Sequence, residues 1–354
     1  MKTLDQLVDK ALSRRSFLAG AGAVAASTAI AGCASPAAVA PSPSGTFTDA
    51  DVLNFALNLE YLEAQFYLYA ATGKGLAASD TAAPSGYTGS YTMGTVTTNS
   101  TTTAVVGTTS AQQAIINEIA FEEQEHVKFL RAALGSAAVP MPNIDLTFFG
   151  PLAMVAGITT VATGVGSYSP FASFDAFLIG SFIFEDVGVT AYLGAAPLIS
   201  AAGVTSGYLT AAAGILAVEA YHAAYVRTSL VGRAISMGAT SPTSSVYPYV
   251  GIANQVEALR ATLTVGASGA PSTTNNSGNT GQTSSAASVE VPLGVPQNLT
   301  TPSAIVACDA TRAIAFARTV NQVHHIVYGS ATVGVNKGGF FPSGTNSIFA
   351  TTTA

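Results

Sequence analysis

Charge is what this chain has least of. Only 9% of its 354 residues are Asp, Glu, Lys or Arg, against about a quarter in an ordinary soluble domain. So sparse a surface suggests contacts with partners or a secreted setting. The net charge is −6, and no basic cluster occurs, which speaks against nucleic acid as a partner. Tryptophan is absent, which carries no functional weight. There are two cysteines, Cys33 and Cys308, and four histidines. If Cys33 is modified, as argued below, Cys308 stands alone and no intramolecular disulfide can form. Hydrophobic residues make up 49%. At this length they can bury a substantial core, and two domains would be allowed.

Two of the four histidines, His126 and His222, follow a Glu three places earlier. With ten Glu in 354 residues, that spacing arises by chance for roughly 3% of histidines, so two in four is a signal, though a short motif always carries a false-positive risk. Four predicted helices carry, in order, Glu60, then Glu123-x-x-His126, then Glu185, then Glu219-x-x-His222. Two helices giving one Glu each and two giving Glu-x-x-His is the ligand set of a carboxylate-bridged two-metal site in a four-helix bundle. Residues three apart share a helix face, so each Glu-His pair can grip one metal together. Two divalent ions offset four carboxylates, which suits an apolar interior.

Helical rotation tests the assignment independently. Glu123 and His126 point into the apolar face of Ile115, Ile116, Ile119, Leu130 and Ala133, while Glu118, Glu122 and Glu125 fall on the opposite flank and read as solvated charges. Glu219, with His222 beside it, shares a face with Ala212, Ile215, Leu216, Val226 and Leu230, and Arg227 falls on the edge. The single-Glu helices show a faint repeat: Leu53-x6-Glu60-x6-Tyr67 matches Leu178-x6-Glu185-x6-Tyr192. Tyr67 and Tyr192 read equally as core packing or as hydrogen-bonding partners of the ligands. Glu63 is the main rival to Glu60, and Asp186 a weaker rival to Glu185; the repeat favours Glu60 and Glu185.

Along the chain, Ser13-Arg14-Arg15-Ser16-Phe17-Leu18 and the small apolar run to Gly32 resemble a twin-arginine export signal over residues 1–33. Ile30-Ala31-Gly32-Cys33 resembles a lipoprotein box with Cys33 as the lipidated residue; a plain signal peptide is the alternative. The expected setting is the bacterial cell envelope, with membrane contact only through an N-terminal lipid. Residues 34–47 read as a tether. The first helix opens at Thr48, with Asp51 completing a capping box, and runs to about Ala71. Residues 72–109 are a Thr/Ser/Gly-rich insertion, a long loop or small β excursion. Ser110-x-x-Gln113 caps a second helix to about Leu134, stopped by Gly135. Residues 135–169 make the one long crossover such a bundle needs, between its second and third helices. The third helix spans about 171–193 and the fourth about 206–235. Phe174–Val204 is apolar enough for a membrane span, but Glu185 and Asp186 in its middle favour a buried bundle helix.

Past the bundle (48–235), residues 236–354 form an extension. It contains a short helix over 253–263, a low-complexity run over 266–287 and a packing helix over 303–327 with Arg312, Arg318, His324 and His325. The two histidines read as surface or packing residues, and Gly338-Gly339-Phe340-Phe341-Pro342 as an apolar plug on the bundle.

The order Glu, Glu-x-x-His, Glu, Glu-x-x-His resembles the ferritin-like superfamily of ferritins, bacterioferritins and rubrerythrins. More narrowly, Leu59-Glu60-Tyr61-Leu62-Glu63-Ala64-Gln65-Phe66-Tyr67 is similar to the first helix of the desiccation-related ferritin-like proteins. Arg318-Thr319-Val320-Asn321-Gln322-Val323, Ile326-Val327-Tyr328-Gly329 and the Gly-Gly-Phe-Phe-Pro tail are similar to that group's C-terminal portion. The resemblance implies an all-α antiparallel four-helix bundle holding two divalent irons or manganeses, and by itself no known reaction. A reduced metal pair of that kind reads as an oxidoreductase reacting with oxygen or peroxide. The alternative is a non-catalytic envelope protein whose metals are structural. A homo-oligomer stays open; the insertion, the low-complexity run and the lipid anchor speak against a closed storage cage.

Overall fold

The computed structural model describes residues 47–99, 104–158, 168–265, 289–295, 305–308 and 313–352. The export signal with Arg14, Arg15 and Cys33, nearly all of the tether, the low-complexity run and Arg312 lie outside the described residues.

Four long helices make the bundle: α1 (Asp49–Thr72), α2 (Ser110–Leu134), α4 (Phe174–Ala195) and α5 (Tyr208–Ser236). A short α3 (Phe149–Val155) lies in the crossover, and α6 (Tyr249–Val265) and α7 (Val320–Val327) follow the bundle. The main pairings are α1 along α2 and α4 along α5, with α1 also against α4.

The ends are set by local chemistry. Thr48 accepts from the Asp51 N–H while the Asp51 carboxylate accepts from the Thr48 N–H, closing the expected capping box. Gly73, in the left-handed region at φ 73°, ends α1. On α2 the cap is Thr109 with Gln112, one residue earlier than expected. The sequence offers both registers; Gln113 instead reaches the Asn117 and Thr108 side chains. Ser173 caps α4 by accepting from the Ala176 N–H, which delays its start to Phe174. The insertion gives a two-residue strand β1 (Val96–Thr97), parallel to β2 (Ile144–Asp145) in the crossover.

Among the described residues two helices are long and apolar enough to cross a membrane by length and composition, but the hydrophobic window of Phe174–Leu198 is 94% buried within the fold. It is the core helix, covered by α1 and α5, and on the extension side by α6 and α7. The window in α5 is only 28% buried, and Tyr221 on that helix is exposed, as are Phe121 and Phe129 on α2.

The extension differs most from expectation. The helix expected over 303–327 is confined among the described residues to Val320–Val327, capped by Thr319 and Gln322. Before it the chain crosses α4 extended: the Arg318 N–H donates to the Thr190 carbonyl. A Cβ on Gly194 would come within 1.7 Å of the Arg318 carbonyl oxygen, so glycine is required at that crossing. The short helix expected over 253–263 is longer, Tyr249–Val265. His324 and His325 are both buried and are packing residues: His324 lies against Phe55 and Tyr328, and the His325 Nδ1 is 2.6 Å from the Ser330 carbonyl. Phe340 is fully buried against Phe148, Phe149 and Phe184, so the Gly-Gly-Phe-Phe-Pro turn does seat on the core.

Candidate metal centre

All six expected ligands are buried, and their side chains meet at one place between the four long helices. One group of donor atoms comprises Glu60, Glu123, His126 and Glu219; a second comprises Glu123, Glu185 and His222. Within each group the atoms lie within 4.8 Å of one another, and Glu123 belongs to both. The expectation that each Glu-x-x-His pair serves one metal fits Glu123 and His126 but not the fourth helix. There Glu219 joins the first group and His222 the second, because His222 turns its ring toward α2 and α4. Its Nδ1 lies 3.1 Å from Glu123 Oε1 and 3.4 Å from Glu185 Oε2. The Nδ1 of His126 lies 3.2 Å from Glu60 Oε2, 3.5 Å from Glu123 Oε2 and 3.8 Å from Glu219 Oε1.

These close approaches are not hydrogen bonds. Glu60 Oε2, both oxygens of Glu123 and Glu219, Glu185 Oε2 and Nδ1 of both histidines are buried with no aligned partner. Buried polar atoms without partners cost about 1–3 kcal/mol each, more when charged. Eight of them facing one another describe a donor set that a metal ion would complete: carboxylate oxygen and imidazole nitrogen, donors common to several divalent metals.

The surrounding groups hold the donors. Tyr67 on α1 donates to Glu185 Oε1 on α4, and Tyr192 on α4 donates to Glu60 Oε1 on α1. The Leu-Glu-Tyr repeat thus closes crosswise, each tyrosine serving the other helix's glutamate. Glu122 was misread. Far from being a solvated charge, its Oε2 lies 2.7 Å from His222 Nε2. With Nε2–H donating to Glu122, the Nδ1 lone pair is left facing the cluster, as metal-ligating histidines are commonly fixed. Rotation alone placed Glu122 outside the core of its own helix, correctly, but could not show that α5 brings His222 up to that flank.

The rivals separate cleanly. Asp186 points away, into a buried network with Arg227 at 2.8 Å and Arg260 at 2.9 Å. Arg260 and Arg318 also hold Glu290. Arg227, expected at a helix edge, is fully buried there, its guanidinium also donating to the Ile305 and Val291 carbonyls. Glu63 is buried beside the cluster but outside both donor groups.

Protonation follows from crowding. Burial, offset only in part by His126, pushes the Glu60 carboxyl up to about 7. Burial and the neighbouring carboxylates push Glu63 and Glu219 well above the usual carboxylate range. Burial also raises Glu185. For Glu123 burial works upward, but the two histidine rings close beside it outweigh it and hold the group below its ordinary value. Burial disfavours a charged His126, yet Glu60 and Glu123 win and raise it to about 11; His222 is raised in the same way by Glu185 and Glu123. Without metal, protons do part of the metal's work.

Residues 48–232 match the family described as a ferritin-like domain. The chain belongs to that family. A desiccation-related protein, PCC13-62 of Craterostigma plantagineum, is 30% identical over 202 residues, covering 57% of this chain and 56% of its own. A ferritin-like catalase, Nec2 of Nesocodon mauritianus, is 28% identical over 190 residues, covering 52% of this chain and 54% of its own. The chain thus spans about half the length of the curated relatives it matches. No solved structure matches. The ferritin-like fold and a buried carboxylate–histidine cluster compatible with metal are therefore common ground between sequence and structure.

Proposed function

We propose that this ferritin-like protein binds two divalent metal ions, iron or manganese, and acts as an oxidoreductase on oxygen or peroxide. The observation that carries the reading is Glu123, shared by two donor groups in a core where eight donor atoms otherwise lack partners. Glu60, Glu123, His126 and Glu219 would hold one ion, and Glu123, Glu185 and His222 the other. Such a metal pair supplies Lewis acidity and one- or two-electron redox chemistry. The chain's own residues orient and insulate it. Tyr67 and Tyr192 restrain Glu185 and Glu60, Glu122 sets the His222 tautomer, and carboxyls that gain protons easily can store one beside the reacting oxygen.

Peroxide is the substrate we favour, because a relative of similar sequence is named a ferritin-like catalase. Disproportionation also balances without a further reductant: one peroxide becomes two waters while another is oxidised to dioxygen. The test is oxygen evolution from peroxide by manganese- and iron-loaded protein. It should be lost in Glu123→Ala and kept in Glu118→Ala, whose parent side chain is exposed on the same helix. Two metals bound with no turnover on peroxide, oxygen or ferrous iron would leave the second reading, a non-catalytic envelope protein stapled by metal. That reading is motivated by the relative named for desiccation.

We also propose export by the twin-arginine route and lipid attachment at Cys33, which would place the protein in the bacterial cell envelope. Cys33→Ser should release it from the membrane fraction; retention would refute the lipid anchor.

A further inference from the structure

Two small cavities lie end to end on one side of the cluster. The inner one, about 20 Å³, is walled by α1, α4, α7 and Phe340. The outer one, about 10 Å³, lies between α3, α4, α6 and α7. Ile183 and Ile326 line both, so the two cavities are neighbours across that pair of side chains. We infer that these cavities form an apolar path for small gas molecules, with dioxygen as the ligand class, running from the seam between bundle and extension to the Glu63–Gly188 edge of the metal centre.

The inner end abuts the donors. A Cβ built on Gly188 would meet Glu219 Oε2 at 2.1 Å and Glu63 Oε1 at 3.5 Å. Gly188 is therefore the thin wall between cavity and cluster, and a larger residue would close it. The lining excludes water. A cavity needs about 10–15 Å³ to admit one water, which then wants two to four polar partners. The inner cavity has the room, but Glu63 is the one polar side chain on its wall; the rest are aliphatic or aromatic. An apolar molecule has no such requirement. The outer end reaches Ala156 and Leu259, both partly exposed.

The polar side of the centre lies elsewhere. His126 and Glu122, both on α2, have side chains 11% and 35% exposed, whereas neither cavity is lined by any residue of α2 or α5. Hydrogen-bonding reactants and an apolar gas would thus approach, or leave, by different faces.

Naming dioxygen as the natural occupant rests on the oxygen-or-peroxide reading, but the path can be tested without turnover. Crystals of the metal-loaded protein held under xenon should show density in the inner cavity between Val187, Ile326 and Phe340. Val187→Ile should reduce that density while leaving the outer cavity filled, and Ile326→Phe should abolish both. In each variant the metals should remain in place. Xenon absent from the inner cavity of the unsubstituted protein, or ordered water in it, overturns the path whether or not the variants fold. A catalytically silent protein that takes up xenon keeps the path and loses the redox reading. An active protein that takes up none loses the path alone.

Discussion

Metal loading should expel protons, and the structure says roughly how many. At pH 7 the metal-free cluster holds one on His126, raised to about 11, and one on His222, raised in the same direction by Glu185 and Glu123; burial and the neighbouring carboxylates push Glu219 upward as well. Glu60, raised to about 7, is half protonated. Metal takes imidazole and carboxylate in their deprotonated forms, so binding two ions should release at least about two protons per chain, those of the two histidines, with a further part from Glu60. Each proton released makes the overall binding constant rise about tenfold per pH unit, or about 1.4 kcal/mol. Titration calorimetry with Mn(II) in two buffers of different ionisation heat reads the number directly. Stability carries the same signature. A carboxyl raised from 4.5 to about 7 contributes stability that is complete below pH 4.5 and lost by about pH 7, on the order of 3 kcal/mol. His126 adds a contribution complete below 6.5 and lost as pH rises through about 11. Both slopes have one sign: the thermal midpoint of metal-free protein should fall from pH 5 to pH 9. Metal-loaded protein should resist the fall because its affinity climbs. Release of less than one proton, or a metal-free midpoint that rises with pH, would refute this electrostatic account.

Other perturbations isolate single parts. Gly188→Ala should displace Glu219 and lower metal stoichiometry by elemental analysis. By contrast Gly232→Ala, on a helix face with nothing within 4 Å of the added Cβ, should leave metal unchanged and raise stability by up to about 1 kcal/mol. Glu122→Ala frees the outer nitrogen of His222 and should weaken metal binding about 10- to 100-fold; unchanged affinity in a competition titration would show that the contact does not orient the ring. Asp186→Asn leaves Arg227 and Arg260 short of a buried counter-charge and should cost about 3–5 kcal/mol in denaturant unfolding, with two metals still bound per folded chain.

The buried carboxylate–histidine cluster was legible because its signal is local twice over. A Glu and a His three residues apart share a face whatever the rest of the chain does, and an apolar stripe says which way that face points. The same reasoning recovered the Leu-Glu-Tyr repeat. It could not tell that Tyr67 serves Glu185 and Tyr192 serves Glu60, because that pairing depends on how α1 and α4 lie against each other. Glu122 failed for the same reason: its partner, 100 residues away, comes from another helix. Cap positions slipped by a residue or two where the sequence offered overlapping registers, as at Thr109 and Ser110. The segment before α7 was misread because its apolar spacing suits a helix, whereas the Arg318 backbone and guanidinium are committed to Thr190, Thr264 and Glu290.

Those commitments show why the extension cannot be an appendage, although the family match ends at residue 232. α4 carries Glu185 toward the candidate metal centre and, on the next residue, Asp186 toward three buried arginines, of which Arg260 and Arg318 come from the extension. Arg260 also donates to the Phe182 carbonyl, and Arg318 to Thr190 Oγ1, both on α4. Phe340 closes the core against Phe184. Every one of these contacts falls within about two turns of Glu185. A bundle cut after α5 would leave Asp186 with only Arg227 and expose the apolar flank of α4, while Glu185, Glu123 and His222 still repelled or attracted one another across the centre. The extension is therefore part of what holds the third ligand helix in register. The centre's geometry depends on residues from Glu60 to Phe340, not on the bundle alone.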